Sequence, residues 1–181
     1  SSAGAGVSGS ILIETKDLNV ENGARILTNV FEPSNVDVNT FDPRFSSPEA
    51  RAFVNQLIST INPENVGKAN SGNLTIIADN SVKITGQSAD GNTGSYLSTE
   101  TFGEGNAGTL KIDTSKLSVT DGGSIAVSTS PNSQGKGGSL IVNARDVEIS
   151  GTTVNEQFRS GLFATTRSTG EAGEIQVTTN K

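Results

Sequence analysis

The chain lacks several residue types on which common protein chemistries depend. Its 181 residues include no cysteine, histidine, methionine or tryptophan, and only one tyrosine and seven phenylalanines. Without cysteine there is neither a disulfide framework nor thiolate chemistry. Without histidine, the commonest general base and the commonest metal ligand are missing. We therefore expect no catalytic residues, no metal ligands and no cofactor. Because methionine is missing even at position 1, we also expect a fragment or a processed product.

Charge and hydropathy narrow the choice of partners. The formal net charge is −6, which disfavours nucleic acid and anionic membrane surfaces as partners. No apolar run approaches the roughly 18 residues that a membrane span requires, so we expect no membrane insertion. Hydrophobic residues make up 32% of the chain, which would give an ordinary globular domain a thin core. A stacked repeat protein needs less, because each short strand buries only one face.

A glycine-led repeat runs through the chain. In each copy a glycine precedes a short segment with apolar residues at every second position, ending in Ile or Val. The five copies begin at Gly9, Gly72, Gly108, Gly138 and Gly173. The spacing is 30–36 residues, apart from a first spacing of 63, and such periods are typical of solenoids and arrays. Because each copy contains strand and turn patterns, the sequence predicts a β-solenoid.

The third copy shows the pattern of one coil. Residues 110–114 and 117–119 alternate apolar with polar residues, as half-buried strands do, and 115–116 is predicted to turn the chain between them. Asp121-Gly122-Gly123 is a turn sequence tolerant of positive φ, and 125–129 is a third strand. The prediction is a single domain over 1–181, with three-strand coils stacked about four and a half times.

Stacking such coils places equivalent residues above one another. The predicted core ladder inside the axis is Ile13, Ile76, Ile112, Val142 and Val177. A second predicted ladder is Ile11, Leu74, Leu110, Leu140 and Ile175. Adjacent coils would pair in parallel, and the period of two makes the register strict, since a slip of one residue would turn every Ile outward.

The long first spacing predicts an insertion at 31–66 that contains a helix at about 47–61. Ser47 is a candidate N-cap, Pro48 suits the first helical position, and Asn62-Pro63 ends the pattern. Its apolar residues either seat the insertion on the solenoid or form a contact surface for a neighbouring domain or subunit. The candidate interaction residues are Phe31, Phe41, Phe45, Phe53 and Leu57.

Charged and hydroxyl side chains are spread along the coils, and we interpret them as structural. A carbohydrate-cleaving site would need converging carboxylates, and calcium needs six to eight oxygens, whereas one acidic side chain per coil supplies neither. Lys116 and Asp146 are predicted to form a surface charge pair on adjacent coils. The threonines that recur at the ends of third strands are interpreted as turn caps; they are Thr28, Thr99, Thr129 and Thr166.

The cadence of the repeat resembles that of a known family. Residues 105–114 (Gly-Asn-Ala-Gly-Thr-Leu-Lys-Ile-Asp-Thr) and 117–125 (Leu-Ser-Val-Thr-Asp-Gly-Gly-Ser-Ile) are similar to the filamentous haemagglutinin-like repeat region of large secreted proteins of two-partner secretion, most of all cyanobacterial members. The resemblance covers about 1–30 and 67–181. It implies a right-handed parallel β-helix, exported through the outer membrane by a partner protein.

The resemblance also implies a role. We expect a non-catalytic extracellular structural β-solenoid, a segment of a cell-surface or matrix fibre or adhesin. Its expected partners are itself, by end-to-end stacking, or flanking repeats of the same polypeptide, and glycans. The alternatives are a carbohydrate-binding adhesive module and a polysaccharide-degrading β-helix enzyme.

Overall fold

The computed structural model describes residues 8–30, 68–129, 134–166 and 169–179. Within these ranges the regular structure consists of β-strands, with no helix and hence none that could span a membrane. The nine strands are β1 (Ile11–Glu21), β2 (Arg25–Leu27), β3 (Leu74–Thr85), β4 (Tyr96–Thr101), β5 (Leu110–Thr120), β6 (Ser124–Thr129), β7 (Ser139–Ser150), β8 (Gly161–Thr166) and β9 (Glu174–Thr179).

The strands form two sheets. The long sheet has the order β1-β3-β5-β7-β9, and the short sheet has the order β2-β4-β6-β8. Every pairing in both sheets is parallel. Each repeat therefore contributes one long strand and the short strand that follows it, and we call such a pair a layer. The fifth layer is represented among the described residues by β9.

The predicted right-handed parallel β-helix of closed three-strand coils is wrong. The described residues form two parallel sheets and do not show a closed solenoid. The two strands predicted at 110–114 and 117–119 are one continuous strand, β5, and the predicted turn at 115–116 lies inside it. Neither Ser115 nor Lys116 breaks a strand as glycine or proline would, so the chain bends there without leaving the ladder.

The bend appears as a change of phase in the buried positions of β5. Leu110 and Ile112 are buried on one side of the bend, and Leu117 and Val119 on the other, so the period of two is interrupted between Ile112 and Leu117. Irregular pairing occurs at the same place in the neighbouring strands, between Thr15 and Asp17 and between Ala78 and Ser81. The phase change keeps apolar residues inward on both halves of the long strand.

The core lies where the two sheets face each other. Its buried cluster is built mostly from long strands, with Leu97, Ile125 and Val127 supplied by the short sheet. Ile76, Ile112 and their neighbours on the long strands are completely buried. Aliphatic and β-branched side chains suit these positions because they pack well on a pleated surface.

A column of glycines explains the start of each repeat. Gly72, Gly108, Gly138 and Gly173 stack one layer above another. A Cβ added at any of the four would collide with the carbonyl oxygen of the equivalent glycine in the preceding layer. The repeat therefore begins with glycine because the backbones of successive layers approach each other too closely for a side chain. Gly105, Gly135 and Gly170 form a second column with the same constraint.

The predicted insertion at 31–66 and its helix at about 47–61 lie outside the described residues, apart from the position directly before them. Val30, at the end of the first layer, is fully buried and bridges Thr101 of the second layer. The described part of the chain thus keeps layers one and two adjacent across the long first spacing.

Candidate interaction surfaces

The last strand of the long sheet exposes residues whose equivalents in the three layers inside the stack are fully buried. Ile175 is 42% exposed and Val177 is 44% exposed, whereas their register partners Leu140 and Val142 are fully buried. Both apolar side chains stand at the position that covers the core in the other layers. Among the described residues, therefore, Ile175 and Val177 have a paired strand on one side only, whereas their equivalents inside the stack have one on each side.

The layer beneath β9 is also partly uncovered. β9 pairs with the first half of β7, up to Ala144, and no described strand lies on the second half. As a result Ile149 is 43% exposed, although Val119, its partner in the preceding layer, is fully buried. At this end of the stack β9 thus projects one strand beyond β8 and the second half of β7, and apolar side chains are exposed beside it.

The opposite edge of the long sheet is formed by β1. Ile11 and Ile13 point into the core but are only half-buried, while Leu74 and Ile76 beside them are completely buried. Gly9 precedes this strand at the repeat-start position. Unlike the glycines above it, Gly9 has no described atom within 4 Å of an added Cβ.

Two long loops form a second candidate surface. Residues 86–95 and 151–160 each contain an antiparallel bridge, Gln87 with Gly94 and Thr152 with Arg159. Each loop folds over the short turn of the preceding layer. Ser95 Oγ accepts a hydrogen bond of 2.9 Å from the Gly23 amide, and Ser160 Oγ accepts one of 3.0 Å from the Gly122 amide. No side chain fits at either glycine, since a Cβ would collide with the loop.

The two loops also meet each other. Asn155 Nδ2 donates to the Gly91 carbonyl at 3.5 Å, and the ring of Phe158 lies close to the Cα of Gly94. Gln87 Oε1, in the first of these loops, is buried and has no hydrogen-bond partner among the described residues. At the apex, Val154 is completely exposed. The joined loops therefore form one continuous surface across layers two to four.

The outward face of the long sheet carries rows of polar and charged side chains. Asp113 accepts hydrogen bonds from Lys111 Nζ at 2.7 Å and from Asn143 Nδ2 at 2.6 Å. Partial burial opposes ionisation of Asp113, but these two hydrogen bonds and the Lys111 charge outweigh it and lower its pKa. Hydrogen bonds from Ser81 and Asn80 likewise lower the pKa of Asp17. Both carboxylates are held as anions that tie adjacent layers together.

In the part of the chain that the structure describes, the charged residues form pairs and do not converge on one point. Lys116 and Asp146 are register partners, as their spacing predicts, but the ion pair of Lys116 is with Glu148 at 3.6 Å. Asp146 instead accepts a hydrogen bond from its neighbour Arg145. Within the described residues, no group of three or more acidic side chains is placed to hold a metal ion.

The residues singled out in the sequence fall into two groups. Phe31, Phe41, Phe45, Phe53 and Leu57 lie outside the described residues. The structure brings the core ladder together, because its members are successive register partners; they are Ile13, Ile76, Ile112, Val142 and Val177.

Sequence reasoning missed the contact between the two long loops. From the sequence alone these loops are only places where the repeat lengthens. The sequence does contain a signal, because layers with a short turn alternate with layers that carry a long loop. The short turns lie at Gly23 and Gly122, and the long loops lie at 86–95 and 151–160. Such an alternation leaves room for each long loop to cover the turn before it.

Comparison with known proteins adds no relative, since no protein-family profile, no curated protein and no solved structure matches the chain.

Proposed function

We propose that this chain is a non-catalytic structural segment of an extracellular fibre or adhesin, at the cell surface or in the matrix around the cell. The observation that carries the proposal is the register of the long sheet. From β1 to β9 the same inward positions hold aliphatic residues in every layer, as in the column Ile11, Leu74, Leu110, Leu140 and Ile175.

Such a register supports a mechanical role. Each layer adds about 4.8 Å of height, the usual spacing between paired strands. The layers are joined by parallel backbone hydrogen bonds along the whole strand, and the aliphatic columns exclude water between the sheets. Load applied along the stack is thus shared by many bonds. The stack can be lengthened by adding further copies of the same layer, as in other repeat proteins.

The side chains outside the core favour a structural role over catalysis. Carboxylates such as Asp17 and Asp113 are engaged by neighbouring layers, and their lowered pKa values make them poor proton donors near neutral pH. A general acid in a polysaccharide-cleaving site would need the opposite shift. Export across the outer membrane, which the sequence resemblance implies, belongs to the same proposal.

The proposal is tested by locating the protein and by assaying the purified chain. Antibodies raised against the chain should label intact cells of the source organism, on fibres or on the outer surface. Acidic polysaccharides incubated with the purified chain should release no new reducing or unsaturated ends. Labelling that requires permeabilised cells would contradict the location. Depolymerisation that is lost in a carboxylate variant would contradict the non-catalytic role.

One observation favours carbohydrate binding as a second candidate. The joined loops at 86–95 and 151–160 expose planar amides beside hydroxyl groups, a combination that recognises sugar hydroxyls. Glycan binding that is lost in Asn155→Ala but kept in Lys111→Ala, on the outward sheet face, would assign this role to the loops. Unaltered binding in the loop variant would exclude it.

A further inference from the structure

No contact within the described part of the chain explains why position 9 is a glycine. At the four later copies of the repeat, glycine is required by the carbonyl oxygen of the preceding layer. At Gly9 an added Cβ meets no described atom within 4 Å, and φ does not lie in the left-handed region. An alanine would therefore fit the structure as it stands. What distinguishes the position is that no described residue fills the space where a preceding layer would place its carbonyl.

We infer that this space receives a second copy of the chain, with β9 of one copy adding as a parallel strand to β1 of the next. The inference rests on the proposed structural function and specifies how two copies of the chain are joined. We call this contact between β9 and β1 the joint. In the docked register Ile175 lies beside Ile11, Val177 lies beside Ile13, and the Gly173 carbonyl faces Gly9. This is the continuation of a contact that the long sheet already makes four times within one chain.

The two edges match in strand direction and in the residues that they expose. All strands of the long sheet run in the same direction, so the outer edge of β9 and the outer edge of β1 match as head and tail. Both edges carry core residues that are more exposed than their partners inside the stack. The outward side chains are compatible as well. Glu174 would face Ser10, and Thr178 would face Glu14, so that no two like charges are opposed.

The joint is confined to the long sheet. Because β9 covers only the first half of β7, it stands one strand beyond β8 and meets the first half of β1, over 10–15. The contact is heterologous, since different surfaces of the two copies meet. Contacts of this kind leave a free edge at each end and extend into filaments unless the rotation closes a ring.

Engineered cysteines test the register directly, because the chain has no cysteine of its own. Leu12, which is 62% exposed, and Gln176 point outward and would be direct partners across the joint. Paired strands place such Cα atoms about 4.8 Å apart, within the range of a disulfide. Within one copy the two positions lie on opposite edges of the long sheet, so a bond between them joins two molecules.

Under mild oxidation, the double variant Leu12→Cys/Gln176→Cys should form a ladder of dimers and larger species on a non-reducing gel. The matched control Leu12→Cys/Thr178→Cys moves one cysteine two residues along the strand, which places the two Cα atoms about 8 Å apart across the joint, beyond disulfide reach. It should give at least tenfold less cross-linked product. Equal ladders from both variants would contradict the proposed register. If neither variant formed a ladder, the joint itself would be contradicted.

Gly9→Ala supplies the second measurement. In sedimentation velocity the wild-type chain should associate as concentration rises, whereas Gly9→Ala should remain monomeric with an unchanged thermal midpoint. Val154→Ser, at the exposed loop apex, should associate like the wild type. A wild-type chain that stays monomeric at all concentrations would overturn the inference and assign this edge to flanking repeats of the same polypeptide. The cell-surface role would be untouched by that result, because it depends on labelling and on polysaccharide assays.

Discussion

Thr99 Oγ1 donates a hydrogen bond of 3.0 Å to the carbonyl oxygen of Gly108, and both groups are buried. The bond ties the short strand β4 to the turn that opens the next long strand. Thr28 makes the equivalent bond of 2.7 Å to Gly72, one layer earlier. In both layers a hydroxyl satisfies a carbonyl that the narrow turn holds away from water. The interpretation of these two threonines as turn caps is consistent with this geometry.

The first prediction concerns that bond. Thr99→Val keeps the shape of the side chain but leaves the Gly108 carbonyl without its donor, so the free energy of unfolding should fall by about 1–3 kcal/mol. Thr99→Ser keeps the hydroxyl and serves as the control. Urea unfolding measures both. Equal midpoints for the wild type and the valine variant would show that the carbonyl is satisfied by another group.

The second prediction concerns the glycine column. Gly108→Ala forces a methyl group against the carbonyl of Gly72, and the layers must separate locally. Overpacking of this kind costs about 1–3 kcal/mol, and backbone has less freedom to yield than a side chain. Gly9→Ala is the matched control, because the added methyl meets no described atom. Similar losses of thermal stability at both positions would contradict the explanation given for the repeat.

The sequence predicted the order of the layers well, for a physical reason. Inward residues must recur at every second position to keep the core dry, and the glycine marks where each layer begins. Aligning copies on Gly108 and Gly138 therefore gives the same pairs as the sheet, such as Ile112 with Val142. Alternation is a local property, and local properties can be read without coordinates.

The sequence could not give the number of sheets. A change of phase such as that between Ile112 and Leu117 is produced equally by a tight turn and by a bend within one strand. The difference lies in the pairing of Thr114 and Lys116 with Ala144 and Asp146 in the next layer. That pairing keeps the backbone in the ladder through the bend. Interactions between layers therefore determine whether the chain turns or continues as one strand, and the sequence of a single repeat does not reveal these interactions.

The third prediction separates interior and edge positions of one ladder. Ile112 is fully buried and Val177 is 44% exposed, although they occupy equivalent positions. Ile112→Ala should cost about 2–5 kcal/mol, since it leaves a cavity between the sheets. Val177→Ala should cost about 1 kcal/mol or less, because much of its surface is already in water. Urea unfolding at low protein concentration, where copies do not associate, gives both values. Equal costs would mean that β9 is covered in solution.

The fourth prediction concerns acid. Hydrogen bonds from Lys111 and Asn143 favour the ionised form of Asp113 in the folded protein and lower its pKa below the ordinary value of 3.8. The unfolded chain therefore takes up this proton first as the pH falls. The stability that Asp113 contributes is complete above the unfolded pKa and is lost as the pH falls through the folded pKa.

Asp113→Asn should thus lower the free energy of unfolding near neutral pH by about 0.2–1 kcal/mol, the range for partly exposed ion pairs. The gap between the wild type and the variant should narrow as the pH falls below about 4, because protonation removes the same charge from the wild type. Lys111→Gln removes the partner and should produce most of the same loss. Combined with Asp113→Asn it should add little more, since the two changes break one interaction. A gap that stays constant from neutral to acid pH would show that the asparagine variant acts through packing.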